Sequence, residues 1–283
     1  MIGVQPLLLV LFSAFLHALW NAALKEEEDT QAAAVAVLAV AAATAAAIVP
    51  LSRGPAFPQP AGIAWAAAAG ICEAGYFATL AIAFRRAPLG LAYAVARGGS
   101  IAAVWPASIL WLGEAVTARG IGGAAVLCAG IAALGLASRR LGASAGVAWA
   151  GLSALCIAAY HLCYKSALAC SAQPAALFAA SLAVALPINL SALGRRGLGR
   201  VGTCLRARPV GLAGAGIVAA ASFLFLLVAL EGSGAGAVVT LRNTSVVFAQ
   251  ALAWAIGERP GRLQVAGAVL VALGAVLLGW PGG

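Results

Sequence analysis

Ten apolar runs, each close to the length of a bilayer crossing, divide this chain. They cover residues 4–25, 31–50, 61–84, 88–112, 119–138, 146–168, 174–193, 209–230, 234–256 and 262–280. A helix needs ~20 apolar residues to cross the hydrocarbon core, and its backbone polar groups must be satisfied internally. That length and its repetition leave one solution, an all-α membrane protein. The breaks between runs are those a helical bundle needs: a charged turn at 25–29, a Pro-rich stretch at 52–60, basic pairs at 85–86 and 139–140, a basic stretch at 194–209, and Gly-containing turns at 231–234 and 257–261. No loop is long enough for a soluble domain. Only 9% of the residues are charged, against ~25% in soluble proteins. The net charge of +9 sits in short loops rather than in one patch, which excludes a nucleic-acid surface.

The second constraint is an internal repeat. Adding 144 to the numbering carries His17 to His161, Trp20 to Tyr164, Glu114 to Glu258, and Gly123 and Gly130 to Gly267 and Gly274. Arg97 and Ser100 map to Arg242 and Ser245 at an offset of 145. Five spans per half is an odd number, so residues 1–140 and 141–283 are expected to form two inverted five-helix repeats, ten transmembrane helices in all. Loops after odd-numbered spans carry Lys25, Arg85, Arg86, Arg139, Arg140, Arg195, Arg196, Arg200, Arg206, Arg208, Arg259 and Arg262; the opposite side carries Arg53 and Arg119. The positive-inside rule then makes the basic side cytoplasmic, with both termini outward. Trp254 and Trp280 suit interface anchors, whereas Trp105 and Trp111 could line a cavity or sit at the interface.

Two halves of this design resemble the drug/metabolite transporter superfamily, and its EamA-type members in particular. The residues that carry the resemblance are Leu112-Gly113-Glu114 and Ile256-Gly257-Glu258, each followed by a Gly-spaced helix, and the opening HALWNAALK. The resemblance covers essentially the whole chain. It implies a ten-helix carrier for small metabolites, often an exporter, with Glu114 and Glu258 belonging to the fold. The expected setting is a multi-pass protein of a bacterial plasma (inner) membrane, monomeric or homodimeric.

Candidate site residues are the polar groups that the runs carry at depth. Arg97 and Arg242 lie inside apolar runs. A charge there costs ~2.5–3.5 kcal/mol or more, so each should face a partner or a cavity. Both precede residues that permit close packing or local unwinding: Gly98-Gly99-Ser100 and Asn243-Thr244-Ser245. His17, Trp20 and Asn21 share one face of the first helix, and His161, Tyr164 and Lys165 repeat that face. Glu73, with Tyr76 one turn on, is the single carboxylate placed deep in the bilayer. It either neutralises Arg97 in an ion pair or takes up and releases a coupling proton. The expected binding set is therefore His17, Trp20, Asn21, Glu73, Tyr76, Arg97, His161, Tyr164, Lys165, Arg242 and Asn243, around a central cavity.

Two guanidiniums near the repeat axis suit a carboxylate or phosphate. The expected function is secondary active transport, in the export direction, of a small polar metabolite, anionic or zwitterionic, such as an amino acid. Proton-coupled efflux of a cationic drug through Glu73 is the alternative. A membrane-embedded lipid-modifying enzyme is disfavoured: Asp29 is the sole Asp, and the acidic run 26–29 has no His near it in sequence. No catalytic residue is assigned. The six cysteines form no C-x-x-C pair, so neither a metal site nor a disulfide framework is expected. No G-x-x-x-x-G-K-[ST] motif is present, and no cofactor is expected.

Overall fold

The computed structural model describes residues 4–52, 54–112, 116–232 and 241–279, and every regular element among them is helical. In chain order these are α1 (Val4–Lys25), α2 (Thr30–Ile48, followed by a 3-10 turn at Val49–Leu51), α3 (Pro60–Arg86), α4 (Leu89–Leu112), α5 (Ala118–Arg140), α6 (Ser144–Ala169), α7 (Pro174–Ala192), α8 (Gly197–Ala207), α9 (Pro209–Gly232), α10 (Ser245–Ala255) and α11 (Arg262–Gly279). Helix starts follow local chemistry. Asp29 caps α2 by accepting from the Ala32 amide at 3.2 Å. Thr117 caps α5 through the Gly120 amide at 3.0 Å. α3 and α7 open on proline, whose missing N–H is no loss in a first turn.

Among the described residues seven helices, α1, α2, α3, α5, α6, α7 and α9, are long and apolar enough to cross a membrane; α10 and α11 are apolar but shorter. Two expectations change. The basic stretch after α7, read from sequence as a break, folds into the short helix α8. The span expected at 234–256 is interrupted: Asn243 and Thr244 form a turn before α10 begins, and residues 233–240 lie outside the described set. Unwinding is thus realised at 243–244. At 98–99 the alternative, close packing, is realised: α4 runs unbroken, Gly98 against Val271 and Gly99 against Ala154. Glu114 and Trp280, and the side chain of Trp111, also lie outside the described residues.

The core is a continuous, alanine-rich cluster shared by both halves of the chain. Small side chains let helix axes approach closely, the usual route to association where lipid offers no hydrophobic drive. Large apolar residues point outward instead, among them Phe12, Ile71, Leu155 and Val269, as a bilayer-facing surface requires. Packing crosses the midpoint of the chain repeatedly: α3 against α6 and α7, α1 against α9 and α10, α2 against α7 and α9, α4 against α6 and α10, and α5 against α11. Exchanging α1–α5 for α6, α7, α9, α10 and α11 maps these pairs onto one another, but α4 also packs on α11 with no comparable α10–α5 contact among the described residues.

The α5–α11 contact has a direction. A Cβ on Gly123 would lie 3.1 Å from the Gly274 carbonyl oxygen, and one on Gly130 would lie 2.9 Å from that of Gly267. The earlier glycine of one helix meets the later glycine of the other, so the two helices run antiparallel with backbones in contact. Only glycine permits that approach.

Candidate functional site

The site begins at α1. Ser13 and His17, one turn apart, face α9. Ser13 and Ser222 lock the two helices by reciprocal bonds: the Ser13 hydroxyl donates to the Ser222 carbonyl at 2.6 Å, and the Ser222 hydroxyl to the Ser13 carbonyl at 3.0 Å. Arg242, 1% exposed, inserts beside this seam. Its Nη1 donates to Ser13 Oγ at 3.0 Å and to the Ser222 carbonyl at 3.4 Å, and its Nη2 donates to His17 Nδ1 at 3.1 Å. Its guanidinium lies 5.0 Å from the centre of the Phe223 ring, a cation–π contact. The Trp20 indole also donates to His17 Nδ1, at 3.3 Å. Arginine and indole can only donate, so Nδ1 is an acceptor and the imidazole proton sits on Nε2. That Nε2–H is buried with no partner among the described residues, as is Arg242 Nε.

Arg97, on α4, is also buried, and its Nε and Nη1 have no partner among the described residues. It lies within electrostatic reach of His17, Tyr76, Tyr93, Tyr160, His161 and Arg242. The Tyr160 hydroxyl is likewise unpartnered, while the hydroxyls of Tyr93 and Ser245 interact with each other. Aromatic rings close the site. Tyr160 stacks on His161 at 4.5 Å and meets Tyr76 at 5.6 Å, Tyr164 at 5.5 Å and Phe223 at 6.1 Å between centroids. The walls of the expected central cavity therefore meet side chain to side chain. They form a closed cluster of two guanidiniums and several unfilled donors.

Glu73, fully buried on α3, does not form the ion pair with Arg97 that charge balance suggested. Its Oε1 accepts from the Tyr164 hydroxyl, which also lies 3.0 Å from Ser181 Oγ. Ser181 also interacts with this carboxyl, and Oε2 has no geometric hydrogen-bond partner among the described residues. The ion pairs among the described residues are Arg200–Asp29 and Arg208–Glu27, both in loops or near helix ends. Neither deep arginine thus meets a carboxylate there.

Ten of the eleven expected residues lie in or beside this cluster. Asn21 is buried, its Nδ2 on the His17 carbonyl at 2.6 Å and its Oδ1 unpartnered. Asn243 is buried in the turn before α10, and His161 is partly buried with Nδ1 2.8 Å from the Ile157 carbonyl. Lys165 departs from expectation: it is exposed. Its repeat counterpart Asn21 is buried, but Asn21 is neutral, whereas a buried ammonium without a partner would be costly. Sequence reasoning missed Ser13, Tyr93, Tyr160, Ser181, Ser222 and Phe223. Three of these carried a local signal, since Ser13 precedes His17, Tyr93 precedes Arg97 and Tyr160 precedes Tyr164 by four residues each. Ser222 and Phe223 sit in an all-apolar run and carried none.

The helix that bears Arg97 is held at its start by distant residues. Ala87-Pro88 offers no side chain able to cap α4. Glu258, in the α10–α11 loop, supplies the cap across the chain, accepting from the Leu89 amide at 2.7 Å and the Gly90 amide at 3.5 Å. Gln250 donates to the Gly90 carbonyl at 2.7 Å. Lys25, at the end of α1, donates to the Phe84 carbonyl and, at 2.9 Å, to that of Ala87. Both ends of the α3–α4 turn are thus satisfied from elsewhere in the fold, and Glu258 does more than end a helix.

Comparison with known proteins agrees with this architecture. Residues 144–280 match the EamA-like transporter family. A solved crystal structure, described only as that of a protein, is similar over 96% of this chain and 94% of its own, at 18% identity and a TM-score of 0.55. At that identity the likeness concerns the fold.

Proposed function

We propose, from the match of residues 144–280 to the EamA-like transporter family of the drug/metabolite transporter superfamily, a secondary carrier that exports a small anionic or zwitterionic metabolite. One observation carries the reading: Arg97 and Arg242 are buried and, among the described residues, neither meets a carboxylate and three of their N–H-bearing nitrogens have no partner. Buried donors without acceptors are costly, and a carboxylate or phosphate oxygen is the acceptor that guanidinium geometry fits. An amino acid is the simplest such ligand: its carboxylate meets the guanidiniums and its ammonium is within the chemistry of Glu73 Oε2. A ten-span inverted repeat is supported by the antiparallel α5–α11 crossing and by most of the helix pairs that cross the midpoint of the chain. It would set the two arginines at matching depths about one axis.

A coupling proton on Glu73 is a second reading, favoured by one fact. The carboxyl bonds a neutral hydroxyl rather than an arginine, so protonation breaks no ion pair. The same fact suits cation efflux through Glu73, but two uncompensated guanidiniums nearby oppose a cationic substrate.

The test begins with a thermal-shift screen of purified protein against amino acids and organic acids, since ligand binding stabilises the folded state. The hit is then followed in reconstituted vesicles. Arg97→Gln and Arg242→Gln should each lower transport by roughly 30-fold or more, the ~2–5 kcal/mol expected for one partner of a buried hydrogen-bonded charge pair. Arg97→Lys should weaken binding while keeping the charge. Wild-type transport in both glutamine variants would overturn the proposal, and misfolding of both would assign the arginines to structure.

A further inference from the structure

The α8 segment is not explained by transport through the bundle. α8 is set between the membrane-spanning helices α7 and α9 and packs on both and on α2. Its inner face is regular: Gly197 is buried, and Val201, Cys204 and Leu205 are partly buried against the core. Two of the five arginines in α8 and its flanks, residues 195–208, are occupied. Arg200 makes a bidentate pair with Asp29, both bonds at 2.8 Å, and Arg208 pairs with Glu27 at 3.0 Å. These pairs tie α8 to the α1–α2 turn. Arg195, Arg196 and Arg206 remain, exposed, with no ion pair among the described residues. Beside them stand two large apolar side chains in the open, Leu198 at 74% and Val210 at 84% exposure.

A helix with this arrangement, fixed between two spans, suits the boundary between headgroups and acyl chains. We infer that α8 is an interfacial helix that binds anionic phospholipid headgroups through its Arg206 and the preceding Arg195 and Arg196, with Leu198 and, at the start of α9, Val210 in the acyl boundary. The tether decides the class of partner. α8 cannot leave the membrane surface, so the phosphates within its reach are those of lipids. The exposed apolar residues would be a liability against water and an asset against acyl chains. The other basic pairs of the chain, Arg85-Arg86 and Arg139-Arg140, are also exposed, but they lie at helix ends and lack an amphipathic helix of their own.

The experiment uses the full-length protein in detergent, exposed to phosphatidylglycerol and phosphatidylcholine together, with bound lipid read by native mass spectrometry. Each basic residue near an anionic surface strengthens binding roughly fivefold, so three give on the order of a hundredfold preference, weakened by added salt. R195Q/R196Q/R206Q should lose most of it, R195K/R196K/R206K should keep it, and R139Q/R140Q should behave as wild type. If the triple glutamine variant fails to fold, R206Q and R195Q/R196Q are read separately, each with a partial loss. An unchanged preference in the glutamine variants overturns the assignment. So does displacement of the lipid by millimolar inorganic phosphate alone, which would make this a site for free anions.

Discussion

A single methyl group on the α5–α11 crossing should separate two helices that the fold holds backbone to backbone. In Gly274→Ala, the new Cβ would lie 2.4 Å from the Leu127 amide nitrogen, 2.7 Å from Leu127 Cα and 2.8 Å from the Gly123 carbonyl oxygen. Ordinary contact begins near 3.4 Å, so α11 must retreat by about 1 Å, and because all three atoms are backbone, no side-chain rotation relieves the clash. Overpacking of this kind costs ~1–3 kcal/mol. Gly122→Ala is the control: nothing lies within 4 Å of its Cβ, and alanine is the better helix former by up to ~1 kcal/mol. Both variants are purified in detergent, heated, and scored for the fraction that stays monodisperse. The midpoint of Gly274→Ala should fall by several degrees, about 2–4 °C per kcal/mol in domains of up to ~250 residues, while that of Gly122→Ala holds or rises. Gly130→Ala, whose Cβ would lie 2.7 Å from the Val271 amide nitrogen, should resemble Gly274→Ala. Equal midpoints for Gly274→Ala and the wild type would refute the backbone crossing, and with it the main support for the inverted repeat.

Two further outcomes follow from polar contacts outside the cluster. Glu258→Ala removes the cap on α4, worth ~1 kcal/mol at a helix N-terminus; amide exchange at Leu89 and Gly90 should rise about fivefold, and unchanged protection would show that the cap carries no energy. Bonds from the Arg200 guanidinium, aided by the Ala32 amide, hold the Asp29 carboxyl below its usual range. A depressed folded pKa stabilises above the unfolded value and loses that contribution as pH falls through the folded one. The stability gap between wild type and Asp29→Asn should therefore be full at neutral pH and close below about pH 4. The pair is about one-third exposed, so the gap is under ~1 kcal/mol, and a gap that does not change between pH 6 and pH 3 would contradict the assignment.

Polar residues in this chain divide by how far away their partners lie. His17, Trp20 and Asn21 were legible together because they stand three and four residues apart on one helix, and their contacts are local: indole to imidazole, amide to the carbonyl one turn back. Arg97, Arg242 and Glu73 were legible as deep groups because hydrocarbon makes any charge conspicuous. Their partners were not. Glu73 meets Tyr164 rather than Arg97, and Arg242 meets Ser13 and Ser222, which are 209 residues apart in the chain. Lys165 was misjudged because its position matches that of the buried Asn21 while its charge does not suit burial.

The sequence by itself determined that the chain is helical and apolar along its length and where most of its runs break, and it raised the expectation that its halves repeat. Span length, loop charge and glycine spacing are local properties, and a bilayer imposes them on each segment separately. The tertiary structure decided which face of each helix looks inward. In helices that are apolar all round, hydrophobic periodicity is nearly absent, so no pattern marks the buried side. It is the close passage of alanine- and glycine-lined backbones, α1 on α9, α3 on α6 and α5 on α11, that brings two arginines, two histidines and a ring of tyrosines to one place.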